Sequence, residues 1–389
     1  MTENSPSIYR KAARIQSVVC GFLFSVFSIV YLYVFQPYVL EALHFSLAHG
    51  KTQYAPLASA LTLTLGLMLL RMGICRLFRL EGLLRTVAYF PSYLLLAALT
   101  DVGRGLYRSD YHTPWLWILP MLLLLFVGVV AKWKSWMAHR QEPTASGPLN
   151  ASLILLLGFS IMTVTIGNAD PEFHHETEAE HFLNIQSYDR ALQTGAHSSS
   201  TSRTLTALRT LAMTHTGELG ERLFEFPQPY GSDGLFFSSD SLEHLRYTND
   251  SVYFLLGGRP YNGQRNIDFL RTLCYQDKGK YTALDYYLSA LLLEKRTADF
   301  AQAVSDFFET PDSLPRHYQE ALARYAFDAP PSRQLPADST WLERYAEYLR
   351  AGEAWSNTDE RRKALRETYG HTYWWYADFQ PLPVRRYGR

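Results

Sequence analysis

The sequence predicts an all-α protein: a five-helix transmembrane bundle over residues 1–167, then a water-soluble α-α solenoid over 168–380. Three observations predict it. Five apolar runs crowd into the first 167 residues. The charge balance reverses at Gly167, with 13 Lys and Arg against 6 Asp and Glu before 168 and 24 against 31 after it. Beyond that point, apolar residues recur at helical spacing in blocks punctuated by Gly, Pro, Ser or Asp, and few stretches alternate as strands do. The formal net charge of zero is thus the cancellation of two unlike halves. The acidic second half argues against nucleic acid as a partner, since a phosphate-binding domain needs a basic face.

The apolar runs lie at about 15–40, 55–75, 83–100, 114–131 and 150–167. The first is longer than a signal-peptide core and has no small-residue cleavage pattern, so it reads as a retained helix. Several approach the roughly 17 residues needed to cross a ~30 Å hydrocarbon core. Pro91 falls inside the third run and predicts a bend there. Trp115, Trp117, Trp133 and Trp136 bracket the fourth, at the depth where amphipathic rings favour the headgroups. With the N-terminus in the cytoplasm, the inner segments 1–14, 71–85 and 131–149 hold ten Lys and Arg, and the outer loops 41–54 and 101–112 hold three. That asymmetry favours the N-terminus inside, and five crossings then deliver everything after Gly167 to the periplasm of a bacterial inner membrane.

In the second half the periodicity predicts helices over 172–196, 203–215 and 218–226, a loop at 227–234, mixed signals at 241–257, and helical blocks at 264–277, 280–295, 297–309, 315–327, 338–350 and 358–378. Prolines 311, 315, 330, 331 and 336 fall between blocks, as starts and stops should. Residues 381–389 read as a flexible tail. The pattern aromatic-x-x-Ala-aliphatic recurs at Tyr188–Leu192, Phe300–Val304 and Tyr318–Leu322, with a near copy in 279–291. It resembles the turn and second helix of a tetratricopeptide repeat, although the copies keep no regular period. The arrangement as a whole resembles a family of uncharacterised inner-membrane proteins of the Bacteroidota type, on Leu219–Phe224, Gln228, Gly234-Leu235, Tyr318–Leu322 and Thr372–Tyr376. That resemblance implies membrane helices followed by a repeat-like periplasmic domain, and no known activity.

Candidate chemistry is sparse. His174, Glu178 and His181 share a helix face at i, i+4 and i+7, which invites a metal. The favoured reading is an acidic first turn, where Asp170, Glu172 and Glu176 meet the positive end of the helix dipole. No GxSxG elbow, Ser/His/Asp set, Cys-His pair or Walker loop is present. Cys20, Cys75 and Cys274 read as small buried side chains. Asp101 and Arg104 stand one turn apart at the end of the third run, where they could pair or line a site, and an interfacial ion pair or snorkelling is favoured over a substrate or proton site. The C-terminal aromatics Tyr369, Tyr373, Trp374, Trp375, Tyr376 and Phe379 predict either an exposed sticky patch or, the favoured reading, a seal on the last helix pair. The expectation is a membrane-anchored scaffold that grips a protein or peptide partner, with no metal and no cofactor. The rival is a membrane-embedded enzyme acting on a lipid-linked substrate near Asp101, Arg104, Asp110 and His112.

Overall fold

A computed structural model of the chain describes residues 5–107, 113–138, 147–196, 198, 200–238, 246–309, 314–328 and 338–383. Asp110, His112, the Trp136 side chain and most of the expected tail lie outside the described residues. The described residues are helical throughout and contain no strand. Two compact units divide after Thr177, ten residues beyond the charge reversal.

The first unit opens with α1 (Ser5–Val30), continues through a π-helical turn at Tyr31–Phe35, and breaks at Gln36 into α2 (Pro37–Ala48). The expected helix to residue 40 therefore ends earlier, at a proline that starts a new helix with its missing N–H at no cost. Then come α3 (Pro56–Leu77), the short α4 (Leu84–Val87), α5 (Phe90–Thr100), a 3₁₀ turn at Arg104–Tyr107, α6 (Trp115–Ala138) and α7 (Gly147–Ile166). Pro91 does not bend a helix; it lies in the first turn of α5, after the chain breaks at Ala88-Tyr89.

Four segments are long and apolar enough to cross a membrane: Ala13–Phe35, Pro56–Leu77, Trp115–Ser135 and Leu149–Ile166. Large apolar side chains stand exposed on all four, among them Val18, Phe22, Leu65, Trp117, Leu124 and Ile154. Such a surface is stable against lipid tails and unstable in water. Residues 84–100 differ. Seven of the eleven residues of α5 are buried and none is exposed, so this segment forms the core on which the others pack.

Two polar layers fix the direction of each element. In one, Gln16 Nε2 donates to Ser152 Oγ at 2.6 Å and to Thr86 Oγ1 at 3.3 Å, and Thr86 Oγ1 donates to Ser152 Oγ at 2.8 Å. In the other, the Tyr31 and Thr100 hydroxyls lie 3.1 Å apart and Asn168 N donates to Thr100 O. Residues 16–31, 86–100 and 152–168 thus run between the same layers in the same direction. At ~1.5 Å per residue that separation is roughly 22 Å. Helices α3 and α6 run the other way: Lys134 Nζ reaches Phe78 O near the first layer, and Trp115 Nε1 reaches Asp101 near the second. Residues 86–100 therefore lie between the same two polar layers as α1 and α7, shielded by the helices around them. Within the unit, Phe24 packs on Tyr89 and Tyr93, and Tyr93 Oη meets Ser160 Oγ at 3.0 Å.

Helix α8 (Pro171–Asn184) begins in this unit and its last residues belong to the second. The second unit continues with α9 (Tyr188–Gln193), α10 (Arg203–Thr216), α11 (Leu219–Arg222), α12 (Asn249–Leu256), α13 (Asn266–Tyr275), α14 (Thr282–Leu293), α15 (Thr297–Phe307), α16 (Arg316–Asp328), α17 (Ser339–Glu353), α18 (Thr358–Tyr369) and α19 (Tyr373–Phe379). The expected single block 358–378 is divided at Gly370–Thr372, where Thr372 caps α19 by accepting from Trp375 N, an arrangement worth about 1 kcal/mol.

One turn recurs between the helices. Ser187 N bonds Phe182 O, Lys278 N bonds Leu273 O, and Arg296 N bonds Leu291 O, each spanning a residue with positive φ: Gln186, Asp277 and Lys295. Gly217 and Gly257 occupy the same position after α10 and α12. These are Schellman closures, which satisfy the last carbonyls and turn the chain sharply. Helices α13 to α17 then pack each on the next. The small residues of the recurring sequence pattern, Ala191, Ala303 and Ala321, are fully buried, and Phe300 meets Tyr318 edge-on at 5.5 Å. Packing is not confined to neighbours, however. Helix α11 sits against both α14 and α16, and α19 returns to α16. Gly220 permits the approach of α11 to α16, since a Cβ there would fall 2.7 Å from Pro315 Cβ and 2.9 Å from Tyr318 Cζ.

Candidate functional site

The sequence singled out the end of the third apolar run, and the structure places a polar junction there, within the first unit. Asp101 and Arg104 do not pair with each other. The chain leaves helical geometry at Asp101, which caps α5, and re-enters a 3₁₀ turn at Arg104, so the one-turn helical spacing that would bring them together is lost. Asp101 instead accepts from the Trp115 indole at 2.8 Å. Arg104 spreads its guanidinium over three carboxylates at the start of α8: Nε to Glu176 at 2.8 Å, Nη1 to Asp170 at 3.1 Å and Nη2 to Glu172 at 3.0 Å. The Glu176 side chain is wholly buried, whereas the other two are partly exposed. Burial draws the Arg104 pKa down, but the attraction of Glu176, Asp170 and Glu172 outweighs it and leaves the group above its ordinary value.

The link from α7 to α8 is held just as closely. Asn168 donates through Nδ2 to Val102 O and accepts from Asp170 N at 2.7 Å, and Asp170 accepts from Glu172 N at 3.0 Å. Gln36 Nε2 donates to Asn168 O at 3.1 Å and to Tyr31 Oη at 3.3 Å. Gly167 is required here, because a Cβ would lie 2.7 Å from Thr100 Oγ1 and nearer still to Tyr31 Oη. His174 Nε2 bonds Asn168 O at 3.0 Å, which gives that nitrogen to the backbone. Among the described residues, no group of three or more His, Cys, Asp or Glu side chains is placed to hold a metal.

Arg71 escaped the sequence reading, which assigned it to an inner loop. Helix α3 runs on to Leu77, so Arg71 is buried within it, its guanidinium 4.4 Å from the centre of the Tyr89 ring. A cation–π contact of this kind offsets part of the cost of burying the charge.

In the second unit, one constellation has the composition of a catalytic pair. His317 Nδ1 lies 2.9 Å from Glu320 Oε2, and both side chains are buried. Its other nitrogen accepts from Phe224 N at 3.2 Å, so the ring donates through Nδ1 and retains no nitrogen for a substrate. Glu320 also accepts from Arg316 Nε and Tyr373 N, and its carbonyl accepts from the Trp374 indole. The set pins α19 to α16. Asp378 does the same from the other end of α19, accepting from Arg324 and Tyr348 at 2.7 Å each. The C-terminal aromatics Tyr373, Trp374, Trp375 and Tyr376 are therefore core, the seal rather than the sticky patch.

The same region holds an open cavity of about 690 Å³, lined by Ala196, Ser198, Ser200 and Thr201, the segment 224–230, α18 and α19. Gln228, Arg362, Arg366, His371 and Trp375 line it. Single-sequence reasoning had no motif to find here, because the residues come from segments more than a hundred positions apart. The basic run at 361–366 was the only available signal.

Fold and sites together describe a helical protein with a first unit built from membrane-capable helices and a second, more polar helical unit. The chain belongs to a family of unknown function (DUF6057), whose model matches residues 9–258 and 260–380 and so covers both units. No curated protein matches the chain, and no solved structure does.

Proposed function

We propose that the chain is a multi-pass protein of a bacterial inner membrane, with five crossings, a cytoplasmic N-terminus and its second unit in the periplasm as a binding or assembly scaffold for a protein or peptide. The five crossings are supported by residues 86–100, which run between the same polar layers as α1 and α7. The observation that carries the scaffold reading is the succession α13 to α17, each helix on the next, with one turn geometry repeated between hairpins. Stacked helical hairpins of tetratricopeptide type offer extended faces for a peptide or partner. The enzyme reading draws on Asp101 and Arg104, and the engagement of both in internal bonds counts against it.

Two experiments test the proposal. A C-terminal alkaline phosphatase fusion is expected to be active and a C-terminal GFP fusion dark; the reverse result overturns the topology. Photo-crosslinkers placed along exposed positions of α15 and α17 in cells are expected to capture a discrete protein. Capture of none overturns the scaffold role.

A further inference from the structure

We propose that the end of the first unit at the Gln16–Thr86–Ser152 layer binds anionic phospholipid in preference to zwitterionic phospholipid. The phosphodiester headgroup lies on exposed Arg and Lys side chains, and the acyl chains lie on apolar stripes beneath them. This selectivity rests on the membrane placement proposed above and names the lipid class the unit selects. Arg14, Arg76, Arg79, Arg85, Lys132 and Lys134 are all exposed, and one exposed carboxylate, Glu81, accompanies them. Hydrogen bonds bring the segments that carry them to one end. Gln16, two residues beyond Arg14, donates to Thr86, the neighbour of Arg85. Lys134 Nζ reaches Phe78 O, between Arg76 and Arg79, and Arg85 Nε reaches Leu80 O. Six cations against one acid make a positive field that draws anions to this end. At the other layer the balance is reversed, with Arg104 among Asp170, Glu172 and Glu176.

What lies beneath the charges decides for a lipid. Side chains three or four residues apart share a helix face. On α1, exposed Val18 and Phe22 follow Arg14 at that spacing; on α3, exposed Met72 and Leu69 precede Arg76; on α6, exposed Val129 and Leu125 precede Lys132. Each of these cations heads a stripe of bare apolar side chains, on a helix long and apolar enough to cross a membrane. A small inorganic anion would meet the charges and leave the stripes uncovered. An amphiphile covers both, because its anionic headgroup and its acyl chains are joined end to end. Phosphatidylethanolamine carries an ammonium that cancels its phosphate, whereas phosphatidylglycerol keeps a net negative charge and gains the full attraction of the rim.

Electron spin resonance tests this on the full-length protein reconstituted into phosphatidylcholine vesicles that carry spin-labelled phosphatidylglycerol or spin-labelled phosphatidylethanolamine. The spectrum separates lipid immobilised on the protein from lipid in the bulk. Phosphatidylglycerol is expected to associate at least about fivefold more strongly, the ratio that one basic residue near a bilayer surface supplies. The preference is expected to shrink at about 1 M salt, where the Debye length falls to ~3 Å. The variant R76Q/R79Q/K132Q is expected to lose most of the preference while melting as the wild type does, since all three side chains are exposed. The charge-keeping variant R76K/R79K/K132R is expected to retain it, as is Lys51→Gln, which removes a cation before the start of α3. Both leaflets carry the label, so a reversed outcome with the alkaline phosphatase and GFP fusions would overturn the orientation and leave this selectivity standing. Equal association of the two lipids with the wild type overturns the proposal, as does a preference that the Gln variant retains or that salt leaves unchanged.

Discussion

Replacing Arg104 by Ala removes three charge-assisted bonds at the start of α8, and their unequal burial sets the size of the effect. The pairs to Asp170 and Glu172 are partly exposed, and Arg104 itself is 42% exposed. Pairs in that setting contribute about 0.2–1 kcal/mol each. Glu176 differs, because its side chain is wholly buried. A buried acceptor stripped of a charged partner costs about 1–3 kcal/mol. Glu176 has other interactions as well, so the low end applies and the total is about 2 kcal/mol. That is roughly a 30-fold rise in local opening, since 1.4 kcal/mol is a factor of ten. Hydrogen exchange at amides 172–177 of the detergent-solubilised protein reads it directly. Arg104→Lys keeps the charge and loses the fork, so partial recovery is expected. Raising the salt is expected to erode the outer two pairs before the Glu176 pair. Exchange within twofold of wild type in Arg104→Ala would refute the reasoning and show that the Asn168 and Asp170 turn holds α8 unaided.

Gly167→Ala and Gly220→Ala are each expected to destabilise by about 1–3 kcal/mol through overpacking, against Thr100 and Tyr31 in one case and Pro315 and Tyr318 in the other, measured as lowered melting temperatures. Burial pushes the Cys274 thiol up to about 12, so it is expected to resist iodoacetamide at pH 8 until the protein unfolds. Acid is expected to destabilise the second unit in two stages. Burial holds His215 and His371 below the ordinary histidine value, so the unfolded rings bind protons first and stability falls as pH drops below about 6.5. Burial raises the Glu320 carboxyl, but His317, Arg316 and the Tyr373 N–H outweigh it and leave the pKa lowered; its contribution is present above about pH 4.3 and lost as pH falls through the folded value. Glu320→Gln is expected to abolish the second stage in a melting-temperature profile against pH.

Much of the second unit was legible because its helices are punctuated locally. Pro315 before α16, Gly217 after α10 and Gly257 after α12 all act within a turn of where they stand. The split between α18 and α19 was not legible. Gly370 and Thr372 interrupt an otherwise continuous helical pattern, and what decides for a break is Glu320, some fifty residues away, accepting from Tyr373 N. The Asp101–Arg104 pairing failed for a similar reason: spacing along the chain implies contact only while the helix continues, and α5 stops at Thr100. The cavity is the extreme case. Its lining joins residues 224–230 to α18 and α19, more than a hundred positions further on.

The third apolar run shows the same limit in a form that bears on topology. Counting helices by apolar length gives four membrane-capable segments, and an even number returns the chain to the side from which it started. Residues 84–100 fall outside that count because the segment is shorter than the other four, and it carries Ser92, Tyr93 and Thr100. Those polar groups are tolerable because all three are buried and bonded: Ser92 donates to Leu67 O, Tyr93 meets Ser160, and Thr100 returns to Leu96 O while meeting Tyr31. A segment enclosed by its neighbours needs neither the length nor the uniform apolarity demanded of one bathed in acyl chains. In the proposed five-crossing topology, residues 84–100 span the unit by burial, where the other four do so by hydrophobicity, and the parity of the chain rests on them. Introducing Lys at Leu96, which is buried between Tyr31, Leu32 and Ala60, is expected to unseat this element and collapse the unit. The same change at exposed Leu65 is expected to be borne with a smaller loss, because in the proposed membrane setting a long side chain there can reach toward the headgroups. Equal loss of folded protein from the two variants, measured by size-exclusion recovery in detergent, would show that residues 84–100 are no more central than the helices around them.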